Sequence, residues 1–243
     1  MTSPDDRTPV AAVAVLADEQ RSRMYAFIRR VRRPVTREEA AAEAGISVKL
    51  AAFHLDKLVA AGLLRTRPGS ARIGPGRKPK VYEPAEADIR VSIPERRPDM
   101  IAEILLEAVL DHEPGEDPRD AALRTAHRRG LEAGADERAR TRPGRLGPER
   151  SLSLCESVLE RTGFEPHRPA PTEMRLLNCP FHALAARSPE VVCGINHAYL
   201  SGLLTGLETA GIDAVLSPRP GQCCVEFRAD PTGAARGAKE PRD

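Results

Sequence analysis

The stretch TREEAAAEAGISVKLAAFHLDKLVAAGLL, Thr36 to Leu64, decides how the front of the chain folds. Thr36 can cap a helix, and Glu39, three positions on, completes a capping box. The alanine-rich segment Arg37–Ala44 forms that helix, and Gly45 supplies the backbone freedom of a tight turn. Ser47 can cap a second helix. Along it Val48, Ala51, Ala52, Leu55, Leu58, Val59 and Gly62 share one side, and Lys49, Leu50, Phe53, His54 and Lys57 the other. An apolar stripe backed by a basic, hydrogen-bonding face suits the major groove of DNA, and an ordinary helical hairpin with solvated charges is the plainer alternative.

The residues after this pair of helices favour DNA. Leu64 leads into Arg65-Thr66-Arg67, then Pro68-Gly69 and Gly74-Pro75-Gly76-Arg77-Lys78-Pro79-Lys80, and finally Val81-Tyr82. This reads as two strands around a glycine/proline turn, a wing. Six lysines or arginines and no acid lie between Arg65 and Lys80, the composition a loop on phosphates requires. PVTREEAAAEAGISVKLAAFHLDKLVAAGLL followed by GRKPKVYEP resembles the winged-helix repressors of the ArsR/DeoR-like group. That resemblance implies a palindromic double-stranded DNA operator and a homodimer. The DNA-contacting set expected is Thr36, Ser47, Lys49, Leu50, Phe53, His54, Lys57, Arg65, Arg67, Arg77, Lys78 and Lys80.

The bulk numbers narrow the field. At 243 residues the chain has room for two small domains, and a net charge of only +2 leaves nucleic-acid affinity to local clusters. Aromatics are 3% with no tryptophan, against a single-strand binder built on stacking. No apolar run reaches the ~20 residues of a membrane span and no secretory segment is visible, so a cytoplasmic protein is expected. No glycine-rich phosphate loop is present, and a Cys179–His182 nucleophile pair lacks an evident acid partner, so no enzyme is expected.

Along the chain, residues 1–9 read as a disordered tail and 10–93 as the winged helix-turn-helix, with a helix from Asp18 to about Arg33 carrying Met24, Phe27, Ile28 and Val31 inward. Residues 94–147 read as a connecting helix and linker. Met100, Ile101, Ile104, Leu105, Val109 and Leu110 mark the helix; in winged-helix proteins such a helix commonly joins two subunits, and packing within the chain is the alternative. A helix is expected from Pro118 to Ala133 and a mobile connector after Gly134. Residues 148–229 alternate helix, hairpin, helix and hairpin, a small α+β sensor domain with an antiparallel sheet. Residues 230–243 read as a flexible tail.

Four of the five cysteines fall in that domain: Cys179, Cys193, Cys223 and Cys224. Each lies at a junction of elements, and three elements can bring sulfur to one point, as a metal or iron–sulfur site needs. Cys179 is expected near a helix N-terminus that favours thiolate, and Cys155, on an apolar face, in the core. NCPFHALAARSPEVVCG and PRPGQCCVEF resemble the sensor half of SufR-type regulators. That resemblance implies an iron–sulfur cluster, [4Fe–4S], on Cys179, Cys193 and one of Cys223/Cys224. The fourth ligand is left open among the other of that pair, His182, His197 and an external group. Zinc or metal-free thiol redox is the alternative.

Overall fold

In the computed structural model, which describes residues 9–69, 79–86, 89–144, 147–209 and 211–229, the chain divides into two units between Val91 and Ser92. The first opens with a short helix α1 (Pro9–Val15) that sequence reading leaves unassigned. Asp18 then caps α2 (Glu19–Val31) by accepting the Arg21 backbone N–H at 2.9 Å. After β1 (Val35–Thr36), the capping box forms as the sequence dictates: Thr36 Oγ1 accepts from Glu39 N at 3.2 Å, and Glu39 Oε2 accepts from Thr36 N at 2.8 Å. Helix α3 (Arg37–Ala44) ends at Gly45, whose φ of 66° is left-handed. Ser47 caps α4 (Val48–Ala60).

Strands β2 (Leu64–Pro68) and β3 (Lys80–Pro84) pair antiparallel, and β1 adds on the other side of β3. Helices α2, α3 and α4 and this sheet close around Met24, Ile28, Val35, Leu55, Leu58 and Tyr82, all nearly or wholly buried. Each such side chain contributes roughly 1.5–3 kcal/mol by leaving water. Within α2 the inward stripe is as expected, with Phe27 and Val31 half-buried. On α4, Val48 departs from its expected buried position and is 39% exposed.

The second unit begins with α5 (Pro98–Leu110) and α6 (Pro118–Thr141), followed by α7 (Pro148–Arg161), β4 (Pro166–Ala170), β5 (Glu173–Leu176), the short α8 (His182–Ala185), α9 (Pro189–Gly206), β6 (Ile212–Leu216) and β7 (Val225–Ala229). The four strands form an antiparallel sheet in the order β4-β5-β7-β6. Helices and sheet share one core that includes Ile104, Leu152, Leu159, Phe181, Ile195, Leu203 and Phe227.

One expectation is corrected here. Helix α6 continues past Gly134 to Thr141, with Gly134 and Glu137 buried, so residues 134–141 are helix and not a mobile connector. The cause is close packing: an added Cβ at Gly130 or Gly134 would strike the backbone of α9. On α5, Ile101, Ile104 and Ala108 face inward, whereas Leu105, Leu106, Val109 and Leu110 are exposed, the last two at 74%.

The segments read as terminal tails lie outside the described residues, except Pro9, which starts α1.

Candidate nucleic-acid interface and thiol cluster

Helix α4 presents Lys49, Leu50, Phe53 and Lys57 to solvent, with Phe53 54% and Leu50 43% exposed. The Lys57 ammonium lies 5.6 Å from the Phe53 ring centroid, which holds the ring and the charge together. His54 does not join them. It is 7% exposed, with Nδ1 3.9 Å from Asp18 Oδ1, so the expectation that it reaches base edges is corrected. The helical phase puts His54 at the edge of the buried arc, about 40° from the buried Leu58 and about 40° from the exposed Leu50, and the packing turns it inward towards Asp18. Ser47 is exposed and Thr36 half-buried, each with its hydroxyl oxygen engaged as a cap.

The strand cations of the expected wing are exposed, and each has an acidic partner. Arg65 donates to Glu83 at 2.9 Å and to Glu86 at 2.7 Å, and Arg67 lies 3.1 Å from Glu83. Lys80 donates to Asp56 at 3.0 Å. Glu86 and Glu83 push the Arg65 guanidinium up, and Asp56 pushes Lys80 up, so these two remain charged. The missed partner is Glu83. Its signal is the hairpin register, which sets it directly across from Arg65. Arg77 and Lys78 lie outside the described residues.

In the second unit the sheet order brings the cysteines together. The end of β5 lies beside the start of β7, where the Cys223 N–H donates to the Leu176 carbonyl at 2.9 Å. Cys179 follows β5 by three residues, and Cys193 sits early in α9. The thiols of Cys179 and Cys223 interact directly, as do those of Cys223 and Cys224 and those of Cys224 and Cys193. The four expected residues are therefore one chain of contacts. The contact with Cys223, reinforced by burial, pushes the Cys179 thiol well up. For Cys223 the Cys179 contact acts downward, but the Cys224 contact and burial outweigh it and push the thiol up to about 12. Burial likewise raises Cys193.

The expected thiolate at a helix N-terminus is thus corrected. Helix α8 starts only at His182, is four residues long, and leaves Cys179 as a neutral thiol. His182 is exposed, and His197 Nε2 bonds the Ala214 carbonyl at 3.0 Å. Cys155 is fully buried in the core and pushed up to about 12 by burial, as its apolar helix face implies.

One polar neighbour escaped sequence reading. Asn196, 1% exposed, donates from Nδ2 to Cys223 Sγ at 3.2 Å while its Oδ1 has no partner. Its position three residues after Cys193, on the same face of α9, is the signal that could have found it.

Four soft sulfur donors suit an iron–sulfur cluster or zinc. Their placement does not: among the described residues no group of three or more His, Cys, Asp or Glu side chains is set so that it could hold a metal ion.

Residues 16–67 match a family model described as a helix-turn-helix domain, spanning α2, α3, α4 and most of β2. Comparison with curated proteins and with solved structures gives no match. Among the described residues no helix is long and apolar enough to cross a membrane. The front unit carries a helix-turn-helix domain, and that domain suggests a DNA-binding regulator.

Proposed function

We propose that the protein is a winged helix-turn-helix transcriptional regulator, a repressor by its resemblance, that acts in the cytoplasm by binding and not by catalysis. Its ligand is double-stranded DNA, read as a palindromic operator by a homodimer. Lys49, Leu50 and Phe53 meet base edges, and Arg65, Arg67, Arg77, Lys78 and Lys80 hold phosphates. Affinity is set by the state of the cysteines through linkage between the two sites. The observation that carries this control is the convergence of Cys179, Cys193, Cys223 and Cys224.

Two chemistries compete for that site. A [4Fe–4S] cluster on these four sulfurs would supply reversible electron exchange; the soft donor set supports it, and the absence of a closed ligand geometry speaks against it. The direct thiol contacts favour a metal-free reading. Cys179 and Cys223 would surrender two protons and two electrons to hydrogen peroxide, forming one S–S bond while the peroxide becomes two waters.

Anaerobic purification with iron, sulfide and zinc analysis tests this directly. Brown protein whose visible absorption disappears in Cys179→Ser supports the cluster, and colourless protein with stoichiometric zinc supports the zinc alternative. Colourless, metal-free protein that loses two titratable thiols to peroxide supports the disulfide. A gel shift against DNA upstream of the protein's own gene reports the regulatory half; no retardation in any cysteine state overturns it.

A further inference from the structure

The residues just past the boundary between the units are bonded to the cysteine-bearing turn. Unit one ends at Val91, and Glu95-Arg96-Arg97 lead directly into α5. Arg96 Nη1 donates to the Cys179 carbonyl at 2.9 Å and also to Asn178 Oδ1. Asn178, 6% exposed, returns a bond from Nδ2 to the Glu95 carbonyl at 3.1 Å and a second to the Gly163 carbonyl at 2.7 Å. The Arg97 N–H donates to the Pro180 carbonyl at 3.0 Å. Three consecutive residues of the entering chain are thus tied to the three consecutive residues 178–180.

We propose that Arg96 and Asn178 are positioning residues that transmit the state of the Cys179 sulfur to the segment leading from the DNA-binding unit into α5. The inference rests on the cysteine control proposed above and adds its route. Cys179 is the shared member: its thiol contacts Cys223 and its carbonyl accepts from Arg96. A change that draws its sulfur toward a partner by shifting the Cys179 backbone shifts the carbonyl that Arg96 holds. The guanidinium is fixed by two acceptors, and so follows it. The charge-assisted bonds are half-buried, and water competes for them less than at an exposed pair. A coupling of this kind requires an element whose arrangement both sites bias. In this proposal the clasp is that element.

The test uses full-length protein, dithiothreitol-reduced and diamide-oxidised, in wild-type, Arg96→Ala and Arg96→Lys forms. Arg96 is chosen over Asn178, whose loss would leave the buried Gly163 carbonyl without this donor. Three readouts are taken: hydrogen exchange of residues 92–98, titratable thiols, and affinity for DNA from upstream of the protein's own gene. In wild type, exchange over 92–98 should differ between the two states. The affinity ratio should lie in the roughly 5–150-fold range of ordinary coupling. In Arg96→Ala both differences should collapse toward one while the number of thiols lost to diamide stays the same; a merely structural residue would shift both states alike. Arg96→Lys, which keeps the charge and a multiple donor but on a shorter, strongly hydrated head, should restore only part of the difference. Identical exchange in both wild-type states overturns the clasp, and so does a difference that survives in Arg96→Ala. If exchange responds through Arg96 but DNA affinity ignores the cysteine state, the clasp stands and the cysteine control of DNA binding falls.

Discussion

Gly130 of α6 faces the Tyr199 carbonyl of α9 so closely that a methyl group there would stand 1.9 Å from the oxygen. The relation is reciprocal along the pair: a Cβ at Gly202 would lie 2.1 Å from the His127 carbonyl, and one at Gly206 2.0 Å from that of Leu131. Two backbones meet here with no side chain between them. Gly130→Ala should therefore destabilise the second unit. Alanine's intrinsic gain of about 1 kcal/mol within a helix opposes an overpacking cost of about 1–3 kcal/mol or more, and the clash is against rigid backbone. A urea midpoint equal to or above that of wild type would refute the close approach.

The same glycines show where sequence reading stops. Gly134 looks like a helix end because glycine is a poor helix former, and its second role, allowing close approach, depends on a partner helix about seventy residues away. Spacing four apart on both helices, Gly130/Gly134 and Gly202/Gly206, was the available signal. Local features fared better: the capping box at Thr36, the turn at Gly45 and the strand pairs are all set by neighbours in sequence. His54 lies at the border of the two faces of α4, and Asp18, from another helix's cap, decides its side, a choice that neighbours in sequence do not set. The cysteine convergence depends on β7 lying between β5 and β6, an order that no local pattern encodes.

Phe53 and His54 adjoin in sequence but answer to different forces, and paired substitutions separate them. Phe53→Ala removes an exposed ring, so stability should change by less than about 0.5 kcal/mol, while operator affinity falls by roughly 5–150-fold, the equivalent of one base contact. His54→Ala should do the reverse, lowering thermal stability, with DNA affinity changed only as folding is lost. Fluorescence anisotropy and thermal melts on both variants decide it. Unaltered affinity in Phe53→Ala removes this face from the interface.

Glu83 lies near two cations at once, and neutralising it removes the partner of Arg67 and leaves Arg65 with Glu86 alone. Glu83→Gln should strengthen binding to any duplex and steepen the dependence of log affinity on log salt, by about 0.9 for each phosphate newly contacted. The effect should be independent of sequence, because phosphate contacts carry none. A salt titration with operator and unrelated DNA measures it. An unchanged slope would mean that Arg65 and Arg67 never reach the backbone.

Leu106, Val109 and Leu110 form an exposed apolar row on α5, at 60%, 74% and 74% exposure. A second copy laid against it would satisfy the two-fold symmetry of a palindromic site. Val109→Glu should then convert a dimer to a monomer in sedimentation and weaken operator binding, without altering the melting of an isolated subunit by more than a surface substitution does. If wild type already sediments as a monomer at micromolar concentration, α5 does not join subunits.

Glu137, 4% exposed near the end of α6, is held by Arg140 of its own helix and Arg161 of α7. Burial acts to raise its carboxyl, but the two guanidiniums outweigh it and hold the group below the usual value of 4.5. A group depressed in the folded state contributes stability that is complete above its unfolded value and is lost as pH falls through the folded one. Glu137→Gln should therefore cost about 1–3 kcal/mol at pH 7; this is less than for a fully buried pair, because both arginines keep half or more of their side chains in water. The gap between variant and wild type should hold to about pH 5 and narrow steadily below 4.5. Urea unfolding at pH 7, 5 and 3 measures it. A gap as wide at pH 3 as at pH 7 would show that Glu137 contributes through its shape and not its charge, and the pinning of the last turns of α6 would then rest on the glycine contacts and on Arg138, which donates to the Leu207 carbonyl at 3.1 Å.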